Sequence, residues 1–216
     1  MNELNQLLIA TRNPAKITEF EKYFKLFLPE LSLKNLNDFH INFEPEENGA
    51  TFEENALIKA REYAKISRCL TLADDGGFEI DALDGQPGVL SRRWPGYEAS
   101  DEELVSIAME KLIGVPYENR TAKLRVAVVI VGPDGEIIAK EEGQTGGVIP
   151  EKPGLIKIKG FPFRAILFLP QFNKLYQDLS DQEHDKINHR QEIVRMLASR
   201  LKQYLNKSFP TDPSKQ

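Results

Sequence analysis

The stretch from Cys69 to Ile80, CLTLADDGGFEI, decides how the rest of the chain is read. Its first part, Leu70 to Ala73, is apolar and β-prone and predicts a buried strand. The strand then meets Asp74–Asp75 and Gly76–Gly77, which predict an abrupt end there. Two adjacent carboxylates at a strand end repel each other and lose water where a sheet is covered, so they require an offsetting cation or hydrogen-bond donors. Oxygen-only ligands suit Mg²⁺, which bridges one or two carboxylates to substrate phosphates, and glycines let backbone approach such a ligand closely. A tight Asp-Gly surface turn is the ordinary alternative, and the stretch alone leaves both open.

Upstream, LLIATRNPAK predicts a buried strand over Leu7 to Ala10, a break at Thr11–Arg12–Asn13–Pro14, and a helix with Ile17, Phe20, Phe24 and Leu28 on one face. Pro14 suits the first helical turn. A strand, a polar loop and a helix N-terminus together favour an anion, which would place Lys16 beside a phosphate; an ordinary connection with a solvated lysine is the alternative. A second helix begins at GATFEENALIKAREYAKI, where Thr51 and Glu54 have capping-box spacing and Ala56, Ala60 and Ala64 form a stripe that permits close packing. Asn55 and Lys59 share one face of it. The acidic stretch Glu44, Glu46, Glu47 just before it can supply a metal ligand or be a solvated loop.

Downstream, Ser100 and Glu103 predict a capped amphipathic helix that stops at Gly114. LRVAVVIV and EIIAKEE flank Gly132–Pro133–Asp134–Gly135 and predict a β-hairpin. Ile166 to Leu169 predicts another buried strand, Ser180 and Glu183 a third capping box, and Ile193, Leu197, Leu201 and Tyr204 a final helix, with a disordered tail over 206–216. Early strand–helix units followed by a hairpin imply an α/β fold with a mixed sheet. At 216 residues and 41% apolar, with no repeat and no compositional break, the chain reads as a single domain over 1–205. The net charge of −5 argues against nucleic acid as a partner, because a polyanion needs a basic face. The apolar run near Leu7 is too short for a signal peptide or a membrane span, and a single cysteine excludes an intramolecular disulfide, so a cytoplasmic location is expected. Cys69 reads as strand core rather than nucleophile, and three histidines without paired Cys/His spacing argue against a zinc site.

In their order, the blocks ATRNPAK, EENGATFEENALIKA, LADDGGFEIDALDGQPGVLSRRWPG, Gly160–Phe161 and Ile187-Asn188-His189-Arg190 resemble the inosine/xanthosine triphosphate pyrophosphatases, the Ham1-type house-cleaning hydrolases, from Leu7 to about Leu201. The resemblance implies Mg²⁺-dependent hydrolysis of a nucleoside triphosphate to monophosphate and pyrophosphate. It also implies an elongated sheet flanked by helices, two lobes with the active cleft between them, and a homodimer. On it, Asp75 is the general base and a metal-linked carboxylate, Glu47 the other metal ligand, and Asp74 stands beside them. Thr11, Arg12, Asn13 and Lys16 cradle the triphosphate and Lys59 adds a phosphate contact. Ser91 and Arg93 form a polar pair, and His189 and Arg190 close the nucleotide pocket. No covalent nucleophile is needed: Glu47 and Asp75 can hold metal and orient water, while Lys16, Lys59 and Arg190 supply counter-charge.

The departures lie on the base side. The family's Gly-Phe-Gly-Tyr-Asp-Pro is here Gly160–Phe161–Pro162–Phe163–Arg164–Ala165, so Arg164 stands where an aspartate accepts. His184 replaces a lysine, Asn188 a serine, and Gly76 a serine that contacts substrate. Phe161 is placed to stack on a base, and Arg164 and His184 to read its edge. The resemblance therefore implies action on deaminated purines, with two alternatives: a pyrophosphatase of altered base specificity, or a nucleotide-binding protein without catalysis.

Overall fold

The computed structural model describes residues 5–208. It opens with β1 (Gln6–Ile9), α1 (Pro14–Phe27), β2 (Ser32–Asn35), α2 (Phe52–Ser67) and β3 (Leu70–Ile80). There follow α3 (Asp101–Lys111), β4 (Thr121–Val131), β5 (Ile137–Val148), the short strands β6 (Phe168–Leu169) and β7 (Lys174–Leu175), and the helices α4 (Asp181–Ile187) and α5 (His189–Ser208). The strands form one sheet in the order β2-β1-β3-β4-β5-β6-β7. β1 is parallel to both β2 and β3, as helical crossovers require, whereas β5, β6 and β7 are antiparallel neighbours, so the sheet is mixed as the sequence predicts. The β4–β5 turn is closed by Gly132 N donating to Glu136 O at 2.8 Å and Gly135 N donating to Gly132 O at 2.9 Å.

The chain divides into two compact units. One takes the chain up to Asp74, Ala127–Glu142 and the chain from Arg190 on; the other takes Asp75–Val126 and Gly143–His189. β3, β4 and β5 each give residues to both, which explains why no compositional break marks a boundary. In the first unit the predicted stripe of Ala56, Ala60 and Ala64 is fully buried against Leu8, Ala10, Ala73 and Val129. In the second, Phe78 stacks on Phe163 with centroids 4.7 Å apart in a core that includes Ile80, Leu104, Ile149 and Tyr176.

Caps form where the sequence places them. Thr51 accepts from Glu54 N and Ser100 from Glu103 N, and Ser180 with Glu183 completes a reciprocal box. Four predictions need correction. β3 does not end at Asp74 but runs on through both aspartates and both glycines to Ile80. Local turn preference yields because the neighbouring strand β4 passes so close that a Cβ at Gly76 would lie 2.5 Å from Arg125 O. Cys69 lies one residue before the strand and is only half-buried. Of Ile166 to Leu169, all buried or half-buried, only Phe168–Leu169 is strand, because a 3₁₀ turn occupies Pro162–Ala165 just before it. The predicted tail is helical from Asn206 to Ser208, and residues 209–216 lie outside the described residues.

Candidate active site

In the first unit, Asn13 caps α1. Its Oδ1 accepts from Ala15 N at 3.0 Å and Lys16 N at 3.4 Å, while Ile17 N donates to Asn13 O at 3.1 Å. Pro14 has no N–H, so the amides of this first turn are already satisfied and an anion there must be met by side chains and the helix dipole. Thr11 supports the cap by accepting from Asn13 N at 3.2 Å. Arg12 bonds Ile41 O and Phe43 O, both at 3.0 Å, and so ties down the segment after β2.

Lys16 points to Asp74, with Nζ 2.9 Å from Oδ2. Arg190, at the start of α5, lies 3.6 Å from the same oxygen and 3.2 Å from Glu19, one turn along α1 from Lys16. The Asp74 side chain is 0% exposed, and its Oδ1 meets no hydrogen-bond donor among the described residues. Burial pushes this carboxyl's pKa up, but Lys16, Arg190 and Lys59 together outweigh burial and hold it below the usual carboxylate value. Lys59 itself pairs with Glu47 at 3.1 Å. The loop that carries Glu47 is strapped to α2: Gly49 N donates to the buried Asn55 Oδ1 at 2.8 Å, and Ala50 N to Glu54 Oε2 at 2.7 Å. Asn55 thus anchors the loop two residues after Glu47.

The three carboxylates assigned to metal do not form one set. Successive residues of an extended strand face opposite sides, so Asp74 and Asp75 diverge. Among the described residues no three His, Cys, Asp or Glu side chains are grouped to hold a metal ion. Glu47, 24% exposed, and Asp75 offer the hard oxygens that Mg²⁺ favours; Asp74, enclosed and matched by cations, does not fit that use.

In the second unit, Ser91 accepts from Phe78 N at 2.8 Å and donates to Gly88 O at 2.6 Å, tying its turn to β3. Arg93 lies exposed on that turn. Its neighbour Arg92 instead binds the buried Asp101, whose Oδ2 accepts from Gly160 N at 2.7 Å and fixes the Gly160–Phe161 loop to α3. Arg164 is 4% exposed, its guanidinium 3.8 Å over the Phe161 ring and 5.0 Å from that of Tyr176. Arg164 therefore covers one face of the ring expected to stack on a base. Tyr176 meets His184 edge-on at 5.2 Å, and Asn188 Nδ2 lies 3.1 Å from His184 Nδ1. Phe161, Arg164, His184 and Asn188 are thus joined, through a tyrosine that no sequence signal marked. Because Thr145 donates to Ile187 O, its 2.9 Å contact makes His189 Nδ1 the donor.

A βαβ start, a buried carboxylate ringed by cations and a stacked arginine define a phosphate-handling α/β protein. The chain belongs to the Ham1 family, whose sequence pattern matches residues 7–200. It is 31% identical over 207 residues to a dITP/XTP pyrophosphatase of Bacillus cereus, covering 94% of this chain and 98% of that one. A Bacillus subtilis protein of the same name is 35% identical over 199 residues, covering 92% and 98%. The Staphylococcus aureus Ham1 protein superposes with a TM-score of 0.78 at 30% identity, over 92% of this chain and 99% of that one.

Proposed function

We propose that this protein hydrolyses the triphosphates of deaminated purine nucleosides, ITP, XTP and their deoxy forms, at the α–β bond to give monophosphate and pyrophosphate. The observation that carries this reading is the convergence of Lys16, Lys59 and Arg190, from three distant parts of the chain, on the single buried carboxylate of Asp74. Such a concentration of positive charge suits a polyphosphate, and the names of the relatives supply the base and the bond. Glu47 and Asp75 are the residues that would hold Mg²⁺, which when bound neutralises phosphate charge and lowers the pKa of its water. Asp75 takes the proton of the attacking water, and Lys16, Lys59 and Arg190 offset the charge of the departing pyrophosphate. His189, its ring held through Nδ1 by Thr145, turns the rest of the imidazole to the nucleotide. In the Arg164 group the guanidinium edge donates to O6 and N7 of a 6-oxo purine, an edge that adenine lacks. The resemblance supports a homodimer, and the single Cys69 is compatible with a cytoplasmic location. Among the described residues no helix is long and apolar enough to cross a membrane.

Pyrophosphate release from ITP, XTP, dITP, GTP and ATP, with and without Mg²⁺, tests the reading. Asp75→Asn keeps the shape but loses the proton acceptor, and turnover falls by roughly two orders of magnitude, the scale of a lost general base. Orthophosphate as the product, or full activity of Asp75→Asn, refutes it.

A further inference from the structure

We infer that Asp74 is a positioning residue: it is the shared internal counter-ion that aims Lys16 and Arg190 at the triphosphate, and it does not bind the metal. The inference rests on the function proposed above and assigns one residue of that site. Lys16 comes from the first turn of α1 and Arg190 from the first turn of α5, 174 positions later in the sequence, and Asp74 on β3 is where they meet, at 2.9 Å and 3.6 Å from one oxygen. Glu19 holds the other side of the guanidinium at 3.2 Å. The four charges thus alternate along Lys16, Asp74, Arg190 and Glu19. Two long flexible cations lose several rotamers each when they are fixed, and a buried carboxylate between them meets that cost before substrate arrives. A cation bound at Asp74 would have to displace both partners from a side chain that is 0% exposed.

The test separates this role from metal ligation and from simple support of the fold. Asp74→Asn keeps the packing and removes the charge. Its kcat/KM for ITP falls about tenfold or more, the scale of lost charge-assisted hydrogen bonds, because both cations meet the triphosphate and the departing pyrophosphate less well aimed. Mn²⁺ affinity, measured by calorimetry without nucleotide, stays within about threefold of wild type. A residue that acts through others adds less once one of them is gone, so Asp74→Asn lowers kcat/KM by clearly less in a Lys16→Met background than alone, the remainder being its hold on Arg190. A tenfold loss of Mn²⁺ affinity in Asp74→Asn, or full additivity with Lys16→Met, overturns the inference. Lys16→Met alone gives a second reading should Asp74→Asn fail to fold: if Asp74 were a metal ligand, removing its competing cation would tighten Mn²⁺ about tenfold, and unchanged affinity is the result expected. Wild-type protein that releases no pyrophosphate from ITP defeats the proposed function itself, an outcome distinct from an active enzyme whose double-mutant cycle is additive.

Discussion

Replacing Gly76 by alanine ought to damage both stability and turnover, through one contact. The added Cβ would stand 2.5 Å from Arg125 O, 3.0 Å from Val126 Cα and 3.1 Å from Val126 Cβ, half an ångström inside the closest approach that real Cβ atoms show to anything. None of these neighbours is the end of a flexible side chain. The backbone of β4 has to move, so the cost belongs at the upper end of the overpacking range, about 3 kcal/mol. Gly76 is bonded to Asp75, so strain at this crossing also moves the residue proposed above as the general base, and a shift approaching an ångström there costs about a hundredfold in rate. Urea denaturation followed by circular dichroism measures the first effect, and pyrophosphate release from ITP at saturating Mg²⁺ the second. Gly146→Ala serves as control: its new Cβ has nothing nearer than Ala122 O at 3.9 Å, and it should change neither quantity appreciably. Stability of Gly76→Ala within about 0.5 kcal/mol of wild type, the scatter of ordinary surface changes, would refute the close approach of the strands as the reason for this glycine.

Two further outcomes follow from buried charge. Arg164→Ala removes the guanidinium from between Phe161 and Tyr176, and the preference for ITP over ATP in kcat/KM falls about tenfold, within the range for a lost charged hydrogen bond; Arg164→Lys does not restore it, since an ammonium neither stacks flat nor donates in parallel. An unchanged ranking of bases in both variants means that Arg164 does not read the base. For Asp74, the folded pKa lies below the unfolded one, so its ionised form stabilises the protein fully above the usual carboxylate range, and the contribution is lost as pH falls through the depressed folded value. The stability gap between wild type and Asp74→Asn therefore holds from about pH 7 to about pH 5 and closes only in stronger acid; denaturation midpoints that converge already between those two values contradict the assignment.

Much of this was legible in the chain. Strand-to-helix starts, the Thr51, Ser100 and Ser180 caps, the alanine stripe of α2 and the Gly132–Gly135 turn depend on residues within a few positions of one another, and local periodicity and capping chemistry specify them. The charged residues were legible as well: Lys16, Asp74 and Asp75 stood out in their own stretches, and Glu47, Lys59 and Arg190 through the resemblance to the Ham1-type hydrolases. Their partners were not. Asp74 and Asp75 are adjacent in sequence and invite a joint role, yet the extension of β3 turns them to opposite faces, and that extension depends on a neighbouring strand some fifty residues away.

Tyr176 and Asp101 carry no sequence signal, since what matters about them is contact with Arg164 and with the Gly160 loop, made across long separations. The sequence by itself determined the α/β class, the caps and the stock of charged side chains, because each is encoded over one or two turns of chain. Only the tertiary structure decided that Asp-Asp-Gly-Gly lies within a strand, that Asp74 serves Lys16 and Arg190, and that Arg164 is stacked and buried, because burial and strand pairing are set by residues far away in the chain and override local turn preference.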